Sequence, residues 1–161
     1  FLKEKDKILD IGGGPGTVSY LLKTKGYNIK VLDVQDVSIF KEIRPIVYDG
    51  VNMPFEDKTF DIALVLTVLH HTNLPEKVLR EARRVANKII IIEDVYRNNL
   101  QKYITYLIDS FANFQFFNHP HNNKSHNEWT RLFNDLNMKL ISYHFQKTAP
   151  FLHQVTYFLK T

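Results

Sequence analysis

The sequence predicts an α/β domain built on a mainly parallel sheet, and three observations carry that expectation. Short apolar runs recur along all 161 residues, at 7–11, 28–34, 45–48, 61–68, 88–93, 139–145 and 154–160. Helix-like stretches separate most of them, and strands alternating with helices build a parallel sheet covered on both faces. The fourth and fifth runs, around Ile62-Ala63-Leu64-Val65-Leu66 and Ile89-Ile90-Ile91-Ile92, are apolar at nearly every position. Central strands buried on both sides read this way.

The first run carries Asp10 near its end and breaks at Gly12, Gly13, Gly14 and Gly16. Val18-Ser19-Tyr20-Leu21-Leu22 then reads as the first turns of a helix. Strand, glycine turn and helix bring a ligand close to bare backbone and to the positive end of a helix. The second run ends in Val31-Leu32-Asp33, an acid at the carboxyl edge of the sheet. Pro75 suits a first helical position, and the helix that follows carries an apolar stripe at Val78, Leu79, Ala82 and Val85. A second amphipathic helix is expected over 99–114, with Leu100, Tyr103, Ile104, Leu107, Ile108 and Phe111 on one face, followed by a loop over 113–124. Ser125-His126-Asn127-Glu128 has the form of a capping box and opens a helix through Trp129, Leu132, Phe133 and Leu136. The last two runs are separated only by a short segment with Pro150, too short for a crossover, so they pair as an antiparallel hairpin.

At this length the chain is expected to be one domain, residues 1–161. No apolar run approaches the roughly 18–20 residues that a membrane-spanning helix needs. Cysteine is absent, which removes disulfides, thiolate metal sites and cysteine nucleophiles, and a reducing cytoplasm fits. The net charge of +4 leans on the second half, with Arg80, Arg83, Arg84, Arg97, Lys102 and Arg131. That reads as a solvated helix face, because no basic run is dense enough to argue for nucleic acid.

The glycine turn leaves two ligands in competition. The dinucleotide fingerprint wants G-x-G-x-x-G above a pyrophosphate, but its last glycine would fall on Thr17. Here the spacing is D-x-G-x-G-x-G, and a carboxylate two residues ahead of the glycines suits a cation better than a phosphate. Asp33 lies 17 residues past Gly16, near the spacing of about 20 expected for an acid on ribose hydroxyls. Both ligand classes use that device.

KILDIGGGPG resembles motif I of the class I S-adenosylmethionine-dependent methyltransferases, and Tyr48-Asp49-Gly50-Val51-Asn52-Met53-Pro54-Phe55-Glu56-Asp57-Lys58-Thr59-Phe60-Asp61 resembles their D-A-x-x-L-P-F-x-D-x-S-F-D pattern. Val68-Leu69-His70-His71 is similar to the family's V-L-H-H, and Ser125-His126-Asn127-Glu128-Trp129 to its S-x-x-E-W. The resemblance is to the small-molecule, type-11-like branch. It implies a Rossmann-like three-layer sandwich with a seven-stranded sheet of order 3-2-1-4-5-7-6 and an antiparallel last strand. It also implies S-adenosylmethionine as cofactor and S-adenosylhomocysteine as product. The binding set would be Asp10, Gly12, Gly13, Gly14 and Gly16 in the loop, and Asp33 and Val34 after the second strand. Asp49 and Gly50 would meet the adenine, and Leu66 and Thr67 would lie near the cofactor's amino group. Residues 97–125 would form a substrate cover between strands five and six. The N-terminal helices that cap the cofactor in many relatives are expected to be missing. Gly50 and Met53 stand in place of the pattern's Ala and Leu, and Ala86-Asn87 replaces a proline–glycine-rich turn ahead of strand five, which shortens that turn without touching the site.

Methyl transfer from a sulfonium asks mainly for proximity, orientation and exclusion of water, so no catalytic dyad is required. A base matters only where the acceptor must lose a proton. Of His70 and His71, one reads as a core or capping residue or as a base. A shared metal is disfavoured because adjacent side chains diverge, and no metal is expected. His71 is the candidate base. The absence of N-P-P-Y or D-P-P-Y argues against methylation of base amino groups, and the absence of cysteine closes the covalent route to C5-methylated pyrimidines. The acceptor is then a small or lipid-like molecule methylated at O, N or C, acted on by a monomer or homodimer. An NAD-dependent oxidoreductase and a non-catalytic interaction module stand as alternatives.

Overall fold

The computed structural model describes residues 1–96, 122–149 and 152–161. The helix expected over 99–114, most of the cover expected over 97–125, and Pro150 lie outside the described residues. Strands β1 (Lys7–Ile11), β2 (Asn28–Asp33), β3 (Ile46–Val47), β4 (Phe60–Leu66), β5 (Ala86–Val95), β6 (Lys139–Ala149) and β7 (Leu152–Lys160) form one sheet. Its order is β3-β2-β1-β4-β5-β7-β6. Strands β1 to β5 run parallel, and β7 alone runs against its neighbours. The antiparallel final pair agrees with the sequence reading, and the order agrees with what the resemblance implies.

Helices α2 (Pro75–Val85) and α3 (His126–Asp135) cover one face. Val78, Leu79, Ala82 and Val85 pack there with Trp129 and Phe133 on Leu9, Ile11, Ala63, Val65, Ile89 and Ile91. The alternate residues Ile8, Ile62, Leu64 and Ile90 face the other way, with Leu22 of α1 (Thr17–Thr24) packed on them. This alternation is why Ile62 to Leu66 of β4 and Ile89 to Ile92 of β5 are apolar without a break. The capping box on α3 is present: Ser125 Oγ accepts from Glu128 N, and the Glu128 carboxylate accepts from Ser125 N at 2.7 Å.

Where the sequence predicts a shortened turn before strand five, there is no turn at all. Helix α2 ends at Val85 and β5 begins at Ala86, which already has extended φ/ψ of −128° and 153°. The carbonyls left open there are taken up by Lys58, whose Nζ donates to Arg83 O at 2.8 Å and Ala86 O at 2.9 Å. A lysine at a helix C-terminus satisfies the last carbonyls and suits the dipole.

Candidate functional site

The strand order reverses between β1 and β4, and ligands of open α/β sheets sit beyond the carboxyl ends of the strands at such a point. Register brings the relevant residues there together: Asp10 lies beside Val31 of β2 and Leu64 of β4, so Asp33 and Leu66 end on the same edge. A cleft of about 920 Å³ opens over that edge. Asp10, Gly12, Gly13, Gly14, Asp33, Val34, Asp49, Gly50, Leu66, Thr67 and His71 all line it.

The glycine turn forms its floor. Gly12 N donates to Leu32 O at 2.7 Å, extending the β1–β2 ladder one residue beyond the strand. A Cβ on Gly12 would fall 2.6 Å from Val68 Cγ2, and one on Gly13 would fall 2.3 Å from Val31 Cγ1. A Cβ on Gly14 would meet nothing within 4 Å. The turn is therefore pressed onto the segment after β4 at Gly12 and onto β2 at Gly13, and is open at Gly14. Gly16 sits between Pro15 and Thr17, which line the cleft, and is not itself among the lining residues. It caps α1 with φ 81°, and a Cβ there would fall 2.8 Å from Ser38 Oγ and 3.0 Å from Ile43 Cγ2, so both conformation and space call for glycine.

Three carboxylates stand around this floor. Asp10 is 2 % exposed and accepts from Ser19 Oγ of α1 at 2.6 Å. Burial pushes its pKa up to about 6, the serine pulls it down, and the nearby Asp33 adds to the rise. Asp33 Oδ2 accepts from Gly14 N at 2.8 Å, so the acid expected to meet a ligand also fastens the glycine turn. Asp49 closes an Asx turn: Oδ1 accepts from Val51 N and Asn52 N, and Oδ2 from Asn52 Nδ2 at 2.7 Å. The Asn52 backbone bond leads in holding its pKa below the ordinary value. Gly50, at φ 80°, lets this turn come close to Val34. Among the described lining residues there is no Lys or Arg.

The far wall comes from the segment after β4. Thr67, at φ 56°, turns the chain out of the strand, and a single 3-10 turn over Leu69–His71 follows. The two histidines part company: His71 lines the cleft, while His70 is 2 % exposed and its Nδ1 lies 2.6 Å from Glu93 Oε2. Burial pushes the Glu93 carboxyl up, and the bond to His70 pulls it back.

Two groups that the sequence reading passed over hold this architecture. Glu93 is one. Its sequence signal is an acid placed directly after the apolar run Ile89 to Ile92. Arg84, read as part of a solvated basic face, is the other. Its Nη1 donates to Phe55 O at 2.7 Å and Asp57 Oδ1 at 2.9 Å, and its Nη2 to Met53 O at 3.0 Å. Glu81 grips the same guanidinium and accepts from Met53 N at 2.9 Å. The segment from Met53 to Asp57 is thus tied to α2. Asp57 is 76 % exposed and adds little, so the two backbone carbonyls carry the effect. Arg84→Ala is expected to cost about 1–2 kcal/mol, a fall of roughly 3–6 °C in Tm. Thermal melts check it, and an unchanged Tm would contradict the role.

An open glycine cradle ringed by carboxylates suits a ligand that presents hydroxyl donors and a positive charge. A pyrophosphate would meet repulsion from three sides without a compensating cation among the described residues. Comparisons with known proteins point to one family. Residues 9–89 match a family model described as a methyltransferase domain. A demethylmenaquinone methyltransferase of Thermotoga maritima is 32 % identical over 99 residues, 55 % of this chain and 43 % of that protein. A norajmaline N-methyltransferase of Rauvolfia serpentina is 31 % identical over 112 residues, 60 % of this chain and 38 % of that one. The chain spans about half the length of the curated relatives it matches. A crystal structure of an S-adenosylmethionine-dependent methyltransferase from Methanosarcina mazei superposes with TM-score 0.74 at 17 % identity, covering 99 % of this chain and 94 % of that one.

Proposed function

This chain belongs to the methyltransferase-domain family, and on that premise we propose that it moves a methyl group from S-adenosylmethionine to a small-molecule or lipid-like acceptor at oxygen, nitrogen or carbon. The observation that carries the reading is the glycine cradle ringed by Asp10, Asp33 and Asp49 with no basic side chain among the described lining residues. Bound there, S-adenosylmethionine supplies a methyl group already activated on a cationic sulfur. The protein's part is placement. Gly12 to Gly14 let backbone come close, Asp33 takes the ribose hydroxyls, and Asp49 with Gly50 takes the adenine edge. Asp10 contributes negative charge beneath the loop, and the backbone of Leu66 and Thr67 faces the amino end. His71 is placed to take a proton where the acceptor is a hydroxyl. Relatives named for demethylmenaquinone and for norajmaline differ in acceptor, so the acceptor belongs to the cover proposed over 97–125.

The test is ligand-dependent stability. S-adenosylmethionine at 100 times its Kd is expected to stabilise the chain by about 2.7 kcal/mol, a rise of roughly 5–10 °C in Tm. NADH is expected to leave Tm unchanged, and stabilisation by NADH alone would sink the reading in favour of an oxidoreductase. Asp33→Ala removes a charge-assisted acceptor, so calorimetry is expected to show binding weaker by about 1–3 kcal/mol. Unchanged affinity would remove Asp33 from the site.

A further inference from the structure

We propose that Glu93 is a positioning residue, whose carboxylate sets the cleft wall from Leu66 to His71 and thereby the affinity for S-adenosylmethionine. The proposal rests on the reading of the cleft given above. Glu93 is 0 % exposed, at the carboxyl end of β5. Its Oε1 accepts from Val68 N at 3.0 Å and Leu69 N at 2.7 Å, and its Oε2 pairs with His70 Nδ1 at 2.6 Å. The preceding residue on β5 joins in, with Ile92 O accepting from Thr67 N at 2.7 Å. Four consecutive residues, 67 to 70, are thus fastened to two consecutive residues of one strand.

That segment needs the fastening. Thr67 holds φ 56°, a region that a β-branched residue adopts only when its surroundings impose it. A single 3-10 turn adds little of its own stability. The division of faces shows what the hold serves. Leu66, Thr67, Val68, His71 and Thr72 line the cleft, while Leu69, His70 and Glu93 do not. A fifth apolar residue after Ile89-Ile90-Ile91-Ile92 would be cheaper to bury than an acid, but it would strand the Val68 and Leu69 amides. The acid is therefore explained by its reach to three successive groups rather than by packing.

Reach and charge are separable by two variants. Glu93→Asp keeps the charge and loses one methylene of reach; Glu93→Gln keeps the length and loses the charge. Calorimetry with S-adenosylhomocysteine is expected to give a Kd at least tenfold weaker for Glu93→Asp and within about threefold of wild type for Glu93→Gln. Phe133→Leu, a core change at 0 % exposure away from the cleft lining, serves as the control for lost stability. It is expected to lower Tm and leave Kd within twofold. Wild-type affinity in Glu93→Asp, or an equal loss in Phe133→Leu, would overturn the proposal. In ligand-free protein the Val68 and Leu69 amides are expected to exchange with solvent at least tenfold faster in Glu93→Asp and threefold faster in Glu93→Gln. Unchanged exchange in whichever variant folds also overturns it. A wild type that binds no S-adenosylhomocysteine would instead defeat the reading of the cleft, leaving the exchange result to stand by itself.

Discussion

Replacing Gly13 with alanine is expected to lower stability by about 1–3 kcal/mol and to weaken S-adenosylmethionine binding more than tenfold. The added methyl would fall 2.3 Å from Val31 Cγ1 and 3.2 Å from Asp10 Oδ2. Val31 is 5 % exposed on β2, so it cannot swing into solvent to make room. The remaining relief is to lift the turn off the sheet. Lifting it would strain the bond from Gly14 N to Asp33 and move the floor of the cleft into the space a ligand needs. The penalty is one of packing, which a second change can relieve. Val31→Ala in the Gly13→Ala background is expected to recover at least 1 kcal/mol relative to the sum of the single changes, as residues in contact couple. Gly14→Ala offers the contrast. Its methyl would meet nothing, its cost of about 1–2 kcal/mol comes from φ 50°, and trimming Val31 should not touch it. Urea melts and calorimetry on the three single variants and the two doubles with Val31→Ala decide the matter, and strictly additive effects for Gly13 and Val31 would refute the packing argument.

The same contacts show which parts of the molecule were legible in the sequence. The apolar runs located every strand; the central ones were clearest, because burial on both faces leaves a run such as Ile89 to Ile92 with no polar position to obscure it, whereas β3 and β6 are largely exposed. Ends were read less well. Strand four was carried to Val68, yet it stops at Leu66 because Thr67 takes a positive φ, which no composition rule assigns to threonine. Strand five starts at Ala86 rather than Lys88, since Lys58 replaces the turn with three bonds from Nζ, to Arg83 O, Ala86 O and Thr161 Oγ1. Of the residues expected around a ligand, the strand edge and the glycine turn bring all but Gly16 into the lining of one cleft. The missed groups share a cause. Glu93 meets partners 23 to 25 residues earlier in the chain, and Arg84 meets carbonyls 29 and 31 residues earlier. Such pairings are set by which strands become neighbours, so a local pattern does not announce them. The two histidines are a case of the same kind: identical residues in adjacent positions take separate duties because only one of them faces β5.

Asp10 gives the second large effect, and its sign follows from where its carboxyl titrates. Burial raises the folded pKa to about 6 from an ordinary 3.8. Below pH 4 both folded and unfolded chains hold the proton, and the group costs nothing. Between pH 4 and 6 the unfolded chain releases it while the folded chain keeps it, so stability falls as pH rises. Above pH 6 the whole difference is present, about 3 kcal/mol from a shift of roughly two units. Glu128, drawn down to about 2 chiefly by Ser125, acts in the opposite sense as pH falls below its ordinary value. The measurement must therefore be a difference between wild type and variant. Asp10→Asn keeps an acceptor for Ser19 and removes the titration, so its stability advantage is expected to grow from near zero at pH 4 to about 2–3 kcal/mol at pH 7. The same change is expected to weaken S-adenosylmethionine binding at pH 7, where wild type presents a carboxylate beneath the loop. Binding a cation there favours the ionised form, so wild-type affinity should climb between pH 5 and 7 while that of Asp10→Asn stays level. A variant that is both no more stable at pH 7 and equally tight in binding would show that the Asp10 carboxylate is neither strained by burial nor used by the site.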